Sequence, residues 1–121
     1  MTAQNLSIEE LAARYYSTVD SGDAAATSAL FAPDASYDRP GYPTMVGQAI
    51  TDFYHGERII VSGAHTVAEV LVAGRQAAVQ GSFAGTLKDG SEASERFADF
   101  LTFDEDGLIT NRTTYFYRAA I

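Results

Sequence analysis

The sequence predicts an α+β fold: three N-terminal helices packed on a curved antiparallel β-sheet. Two observations carry this. Apolar residues in the first half recur at helical spacing, and from about Ala64 the chain alternates in strand-length runs broken by glycine-bearing turns. Helices first and hairpins after is the order of an α+β domain, not of alternating parallel units.

The first helix starts at a capping box, Ser7 with Glu10, and continues through Ile8, Leu11, Ala12, Tyr15 and Val19 on one face. Gly22 stops it. A second, alanine-rich helix is expected from about Asp23 to Phe31, where Pro33 bars its continuation. A short strand, Ala35 to Arg39, leads into the turn-rich Pro40-Gly41-Tyr42-Pro43. A third helix begins near Gly47, with Ile50, Phe53 and Tyr54 as its apolar face. Four strands follow, roughly Ala64–Ala73, Arg75–Leu87, Ser91–Phe103 and Leu108–Arg118. Gly74, Lys88-Asp89-Gly90 and Asp104-Glu105-Asp106-Gly107 form the hairpin turns.

With 121 residues, 46% of them hydrophobic, the chain has the material for one domain, residues 1–121, and one core. Its net charge of −8 disfavours nucleic acid and anionic membrane as partners. The chain has no cysteine, which excludes disulfides, thiolate nucleophiles and zinc–cysteine sites. The stretch Met1 to Leu6 lacks the basic-then-apolar pattern of a leader, and no apolar run approaches the ~20 residues that span a bilayer. A cytoplasmic location is the simplest expectation.

Strand side chains alternate between faces, so each strand sorts into two sets. In the second long strand Val79, Gly81, Phe83, Gly85 and Leu87 form the more apolar set. Its two glycines leave volume beside Phe83, marking either a bend or the close approach of a ligand. In the third, Asp99 shares a face with Phe97, Leu101 and Phe103. A carboxylate there is desolvated, as a candidate acid or base would be; otherwise it lies at a bulge or pairs with an arginine such as Arg96 or Arg112. Tyr15 on the first helix and Tyr54 on the third are apolar-face phenols that need a partner, either a pocket group or a backbone carbonyl.

His65 opens the first long strand and is the side chain best suited to proton transfer near neutral pH, or else a structural histidine. His55, ending the third helix, suits the helix dipole. No His/Asp/Glu spacing fits a metal, no glycine-rich loop precedes a helix, and no serine elbow occurs, so no cofactor is implied.

These residues resemble the nuclear transport factor 2-like superfamily, the cone-shaped α+β fold of ketosteroid isomerase, scytalone dehydratase, limonene epoxide hydrolase and SnoaL-like polyketide cyclases. The likeness covers nearly the whole chain. It is firmest at Arg14-Tyr15, Gly22-Asp23, Leu30 to Ala35, Gly47 with Ile50, Phe53-Tyr54, and Asp99 to Phe103. It implies a pocket for a small apolar molecule inside the cone. Set against the isomerase, Tyr15 matches the oxyanion-hole tyrosine and Tyr54 the tyrosine that supports it. Asp99 matches an aspartic acid that the isomerase is known to keep protonated. The match fails at the general base, an aspartate just before a proline, because Asp38-Arg39-Pro40 puts Arg39 there and Asp38 one position early.

Ala35, Tyr37 and Arg39 form the more apolar face of the short strand, so Arg39 is expected to point into the pocket and pair with Asp99. The resulting expectation is a cofactor-free enzyme of SnoaL-like type acting on an apolar carbonyl or polyketide-like compound. Asp99, Tyr15, Arg39 and His65 would be the catalytic set, with Tyr54, Asp38, Phe83, Phe97, Arg112 and Phe116 contacting substrate. Epoxide opening or dehydration is the alternative chemistry, and a non-catalytic binding or pairing module the alternative class. A homodimer is expected through the convex face of the sheet, where Phe100 and Phe116 lie opposite the other apolar positions of their strands.

Overall fold

Ser7 and Glu10 close the capping box reciprocally, Ser7 N–H to Glu10 Oε1 at 2.9 Å and Glu10 N–H to Ser7 Oγ at 3.1 Å, and helix α1 runs Ile8–Asp20. The computed structural model describes residues 5–119; Met1–Gln4, in the stretch read as lacking a leader, lie outside them. Leu11, Ala12, Tyr15, Tyr16 and Val19 form the buried face of α1. Helix α2 is only Ala24–Ser28, capped by Asp23. It ends earlier than the sequence suggests because Phe31 already pairs with Ile109 in the sheet. Strand β1, Phe31–Asp38, therefore starts before Pro33 rather than after it; the pairing skips between Phe31 and Ser36, around a residue with no N–H to give the ladder.

A two-residue strand, β2 (Met45–Val46), was not visible in the sequence; it pairs antiparallel with β1. Helix α3, Gln48–Asp52, widens into a π-helical turn over Phe53–Glu57, closed by Arg58 N–H to the Phe53 carbonyl at 2.8 Å. Such wide turns often sit at functional sites.

The remaining strands are β3 (Ile60–Ala73), β4 (Gln76–Leu87), β5 (Glu92–Phe103) and β6 (Ile109–Phe116). The sheet order is β2-β1-β6-β5-β4-β3. It is not wholly antiparallel, because β1 runs parallel to β6; the helices carry the chain across between distant strands. Strand β3 begins four residues before the expected Ala64 and contains a register shift between Val67 and Glu69. That shift changes which residues of β3 face inward and deepens the curl.

The strand glycines bend the sheet and are not beside a void. A Cβ on Gly85 would come within 2.6 Å of Phe83 Cζ and also collide with the Ser62 carbonyl, and one on Gly81 would meet the Phe97 ring at 3.2 Å. The rings of Phe83 and Phe97 occupy the volume the glycines leave. Among the described residues no helix is long and apolar enough to cross a membrane.

Candidate functional site

Inward-facing residues of β4, β5 and β6 fall in cross-strand rows, Val79–Asp99–Thr114 and Gly81–Phe97–Phe116, with Arg112 opposite Leu101 one step along. Asp99 has no exposed surface. Its Oδ2 accepts from Tyr16 Oη at 2.6 Å and from Arg112 Nη2 at 3.0 Å, and its Oδ1 accepts from the Thr114 hydroxyl. Three donors thus satisfy a carboxylate that would otherwise be costly to bury.

The other terminal nitrogen of Arg112 joins a tyrosine cluster. Nη1 lies 2.6 Å from Tyr15 Oη, 2.7 Å from Tyr37 Oη and 3.2 Å from Tyr54 Oη, and Tyr15 and Tyr54 hydroxyls are 2.6 Å apart. The guanidinium also lies over the rings of Tyr15 and Tyr37 at 4.7 and 4.6 Å. Burial alone would lower the Arg112 pKa, but Asp99 with the tyrosines outweighs it, and Arg112 is held well above the usual arginine range. Burial raises Tyr15 well above an ordinary phenol and pushes Tyr54 up to about 12, with Arg112 opposing in both. The phenols are therefore protonated donors, and accepting a bond from a cation polarises their own O–H.

The cavity in front of this cluster has a volume of about 210 Å³. Its wall includes Tyr15, Tyr54 and Arg112 at the inner end, and Phe83, Phe97 and Phe116 among its apolar residues. Asp99 is not on the wall, since Arg112, Thr114 and Phe97 stand between it and the space. Arg39 is on the wall, its guanidinium over the rings of Phe116 and Phe53 at 5.3 and 5.7 Å. Asp38 turns outward and accepts from Thr44 Oγ1 at 2.6 Å. The expected Arg39–Asp99 pair does not form. Arg39 Nη1 donates to Tyr37 Oη at 3.1 Å, and Arg112, nearer on the neighbouring strand, takes the carboxylate. Phe116, assigned above to the convex face as well as the pocket, stands in the inward row with Phe97 and lines the cavity.

His65 also reaches the wall, packed against Phe83 at 4.7 Å and Tyr16 at 5.2 Å. Its Nδ1 lies 2.6 Å from Asp20 Oδ1, and its backbone N–H donates to Asp20 Oδ2 at 2.8 Å. Facing a carboxylate oxygen, Nδ1 carries the hydrogen, which leaves the lone pair of the neutral ring on Nε2. Burial lowers the His65 pKa, and the Asp20 hydrogen bond opposes that without cancelling it. The ring is thus a neutral base near pH 7.

Sequence reasoning missed Asp20, Tyr16, Tyr37, Thr114 and the wall residues Arg58 and Glu95. Asp20 had one legible signal, a carboxylate in the last turn of a helix, where the dipole disfavours it. Among the described residues no group of three His, Asp or Glu is placed to hold a metal.

The comparisons agree with this architecture. The SnoaL-like domain family matches residues 12–112. A Steroid Delta-isomerase of Nocardioides simplex is 31% identical over 114 residues, 89% of this chain and 88% of that protein. Among solved structures, the epoxide hydrolase/cyclase-like enzyme SalBIII of pyran ring formation in the polyether salinomycin superposes with a TM-score of 0.80. It is 18% identical, over 91% of this chain and 90% of its own. A Catenulispora acidiphila protein of ketosteroid isomerase-like fold, solved with trimethylamine, gives a TM-score of 0.76 at 21% identity, over 88% and 84% of the two chains. With most of its length matched by the family and a fold shared with these structures, the chain belongs to the SnoaL-like domain family.

Proposed function

We propose that the protein is a cofactor-free enzyme that moves a proton next to the carbonyl of a small, mostly apolar compound, by isomerisation or ring closure. One observation supports this above the others: a neutral, carboxylate-oriented imidazole and a cluster of cation-backed phenols share the wall of one cavity. In this reading the substrate oxygen accepts from Tyr15 or Tyr54, with Arg112 behind them. His65 Nε2 removes a proton from the adjacent carbon; the C–H bond breaks, an N–H bond forms, and the electron pair moves onto the oxygen. With a β,γ-unsaturated ketone, isomerisation finishes when the oxygen's electron pair re-forms the C=O bond, the double bond moves into conjugation, and the γ-carbon takes the proton back from His65. Ring closure finishes when the enolate carbon attacks a second carbonyl, whose oxygen takes the proton.

Asp99 acts here through Arg112. It holds the guanidinium in place and balances its charge, a positioning role in place of the acid/base role expected from the strand pattern. The proton-transfer class agrees with the name of the Nocardioides relative, a Steroid Delta-isomerase. The test is exchange of α-protons of simple aryl ketones in D2O, followed by NMR. His65→Gln is expected to slow exchange by about 10²–10⁴-fold, the usual contribution of a general base. Wild-type exchange no faster than in buffer, across a panel of ketones, overturns the reading.

A further inference from the structure

The cavity's charge opposes that of the protein. The chain carries 8 Lys and Arg against 16 Asp and Glu. Yet Arg39, Arg58, Arg112 and Arg118 all lie on the cavity wall, and among the described residues Glu95 is the one carboxylate there. Two of the four cations are balanced: Arg112 by buried Asp99, and Arg118 by Glu95. Among the described side chains Arg39 and Arg58 have no such partner: no carboxylate lies within ion-pair distance of either. The Arg39 guanidinium donates only to the Tyr37 hydroxyl, and its buried Nε has no acceptor.

The two cations are also linked through a pair of packed rings. Arg39 lies over Phe53 at 5.7 Å, Arg58 lies 6.0 Å from the Tyr54 ring, and those rings pack at 5.1 Å. Burial lowers the Arg58 pKa; Tyr15 and Tyr54 oppose that, and the charges of Arg112 and Arg39 add to it. Two partly buried guanidinium groups on one cavity wall, with no counter-ion among the described side chains, form a site that an anion would stabilise. The rest of the wall is largely apolar, with Ile60, Phe83, Leu87 and Phe97 prominent.

We propose that the natural ligand is a carboxylic acid: a small apolar or aromatic body bearing one carboxylate, held by Arg39 and Arg58. This rests on the proton-transfer reading only for what happens at the other end, where a ketone would meet Tyr15, Tyr54 and His65. A planar carboxylate suits guanidinium groups because it can accept two parallel N–H bonds. The cavity volume of about 210 Å³ is below the ~300–1,000 Å³ usual for drug-sized ligands, which favours a compact acid over a multi-ring body.

The test compares benzoylpropionate with benzoylpropionamide, which share the ring, the ketone and the chain and differ in charge. Titration calorimetry of the wild-type protein at pH 7 is expected to show the acid binding at least about tenfold more tightly than the amide. Arg39→Met and Arg58→Met should each reduce that preference several-fold, and Arg39→Lys should retain part of it. Equal affinity for acid and amide in the wild type overturns the proposal and needs no variant. So does a preference unchanged in an Arg39→Met/Arg58→Met double variant whose circular dichroism matches the wild type. Failure of the proton-transfer reading shows separately. His65→Gln should slow deuterium exchange at the ketone's α-carbon by about 10²–10⁴-fold and leave the acid–amide preference intact.

Discussion

His65 and Asp20 are joined twice, by the backbone N–H of His65 to Asp20 Oδ2 at 2.8 Å and by Nδ1 to Oδ1 at 2.6 Å. The last residue of α1 thus fixes both the position of the β3 backbone and the tautomer of its ring. A carboxylate that only balanced charge would have no need of the backbone bond.

This coupling predicts a pH profile. Burial lowers the His65 pKa, so kcat/KM should fall on the acid side with a midpoint below the ordinary value of about 6.5. Asp20 pulls that pKa upward, so Asp20→Asn should move the midpoint to still lower pH and reduce the rate. The stability effect has a definite sign as well. Because the folded pKa is the lower one, the contribution of neutral His65 is complete above about 6.5 and is lost as pH falls through the folded value. Urea unfolding across pH 4–8 should show that loss reduced in His65→Gln.

The Asp99–Arg112 pair predicts non-additive stability. Asp99→Ala leaves a buried guanidinium unpaired, and Arg112→Met leaves a buried carboxylate; each should cost about 3–5 kcal/mol. The double variant should cost less than the sum of the two, because neither charge is then left alone. Additive losses in denaturant unfolding would show that the two residues are not energetically coupled. Asp99→Asn keeps the shape and should affect activity by loosening Arg112; because the Asp99 charge raises the His65 pKa, the acid limb of the pH profile should also move slightly to lower pH.

Much of this was legible in the sequence, and the rest was missing for physical reasons. The capping box, the hairpin glycines and the inward placement of Asp99 are local or period-two features, so one chain segment suffices to read them. The partner of Asp99 is not local. Parity brought Arg39 to the pocket, but the cross-strand register of β5 and β6 decided that Arg112 reaches the carboxylate first. Asp20 and His65 are 45 residues apart and meet only because α1 packs on β3. Strand β2, two residues long, carries no periodicity to detect.

The bent strands predict a sharp intolerance. Gly85→Ala would drive a methyl group into the Phe83 ring and the Ser62 carbonyl. One of those is backbone and cannot yield, so the variant should lose about 1–3 kcal/mol. Ala84→Ser, on the exposed face one residue away, is the control and should stay within about 0.5 kcal/mol in the same denaturation assay.

The last prediction concerns the outer face of the sheet. Leu71, Phe100, Tyr115 and Tyr117 are large, exposed by 52–71%, and spread over β3, β5, β6 and the residue that follows. Leu71, Ala78 and Phe100 stand in one cross-strand row, and the Phe100 ring meets Tyr115 edge-on at 5.9 Å. So many large exposed side chains on adjacent strands, with Glu69, Gln80 and Arg96 among them, are unusual for a sheet face left in water. A second copy of the chain, packed sheet against sheet, is the partner we propose, in keeping with the dimer expected from the sequence. Sedimentation equilibrium at micromolar concentration should then give twice the 13.0 kDa chain mass. Phe100→Glu should shift the protein to monomer without disturbing the cavity, since Phe100 and the cavity-wall residues lie on opposite faces of β5. A wild-type protein that sediments only at the mass of one chain removes the dimer, and with it the explanation of the exposed rings.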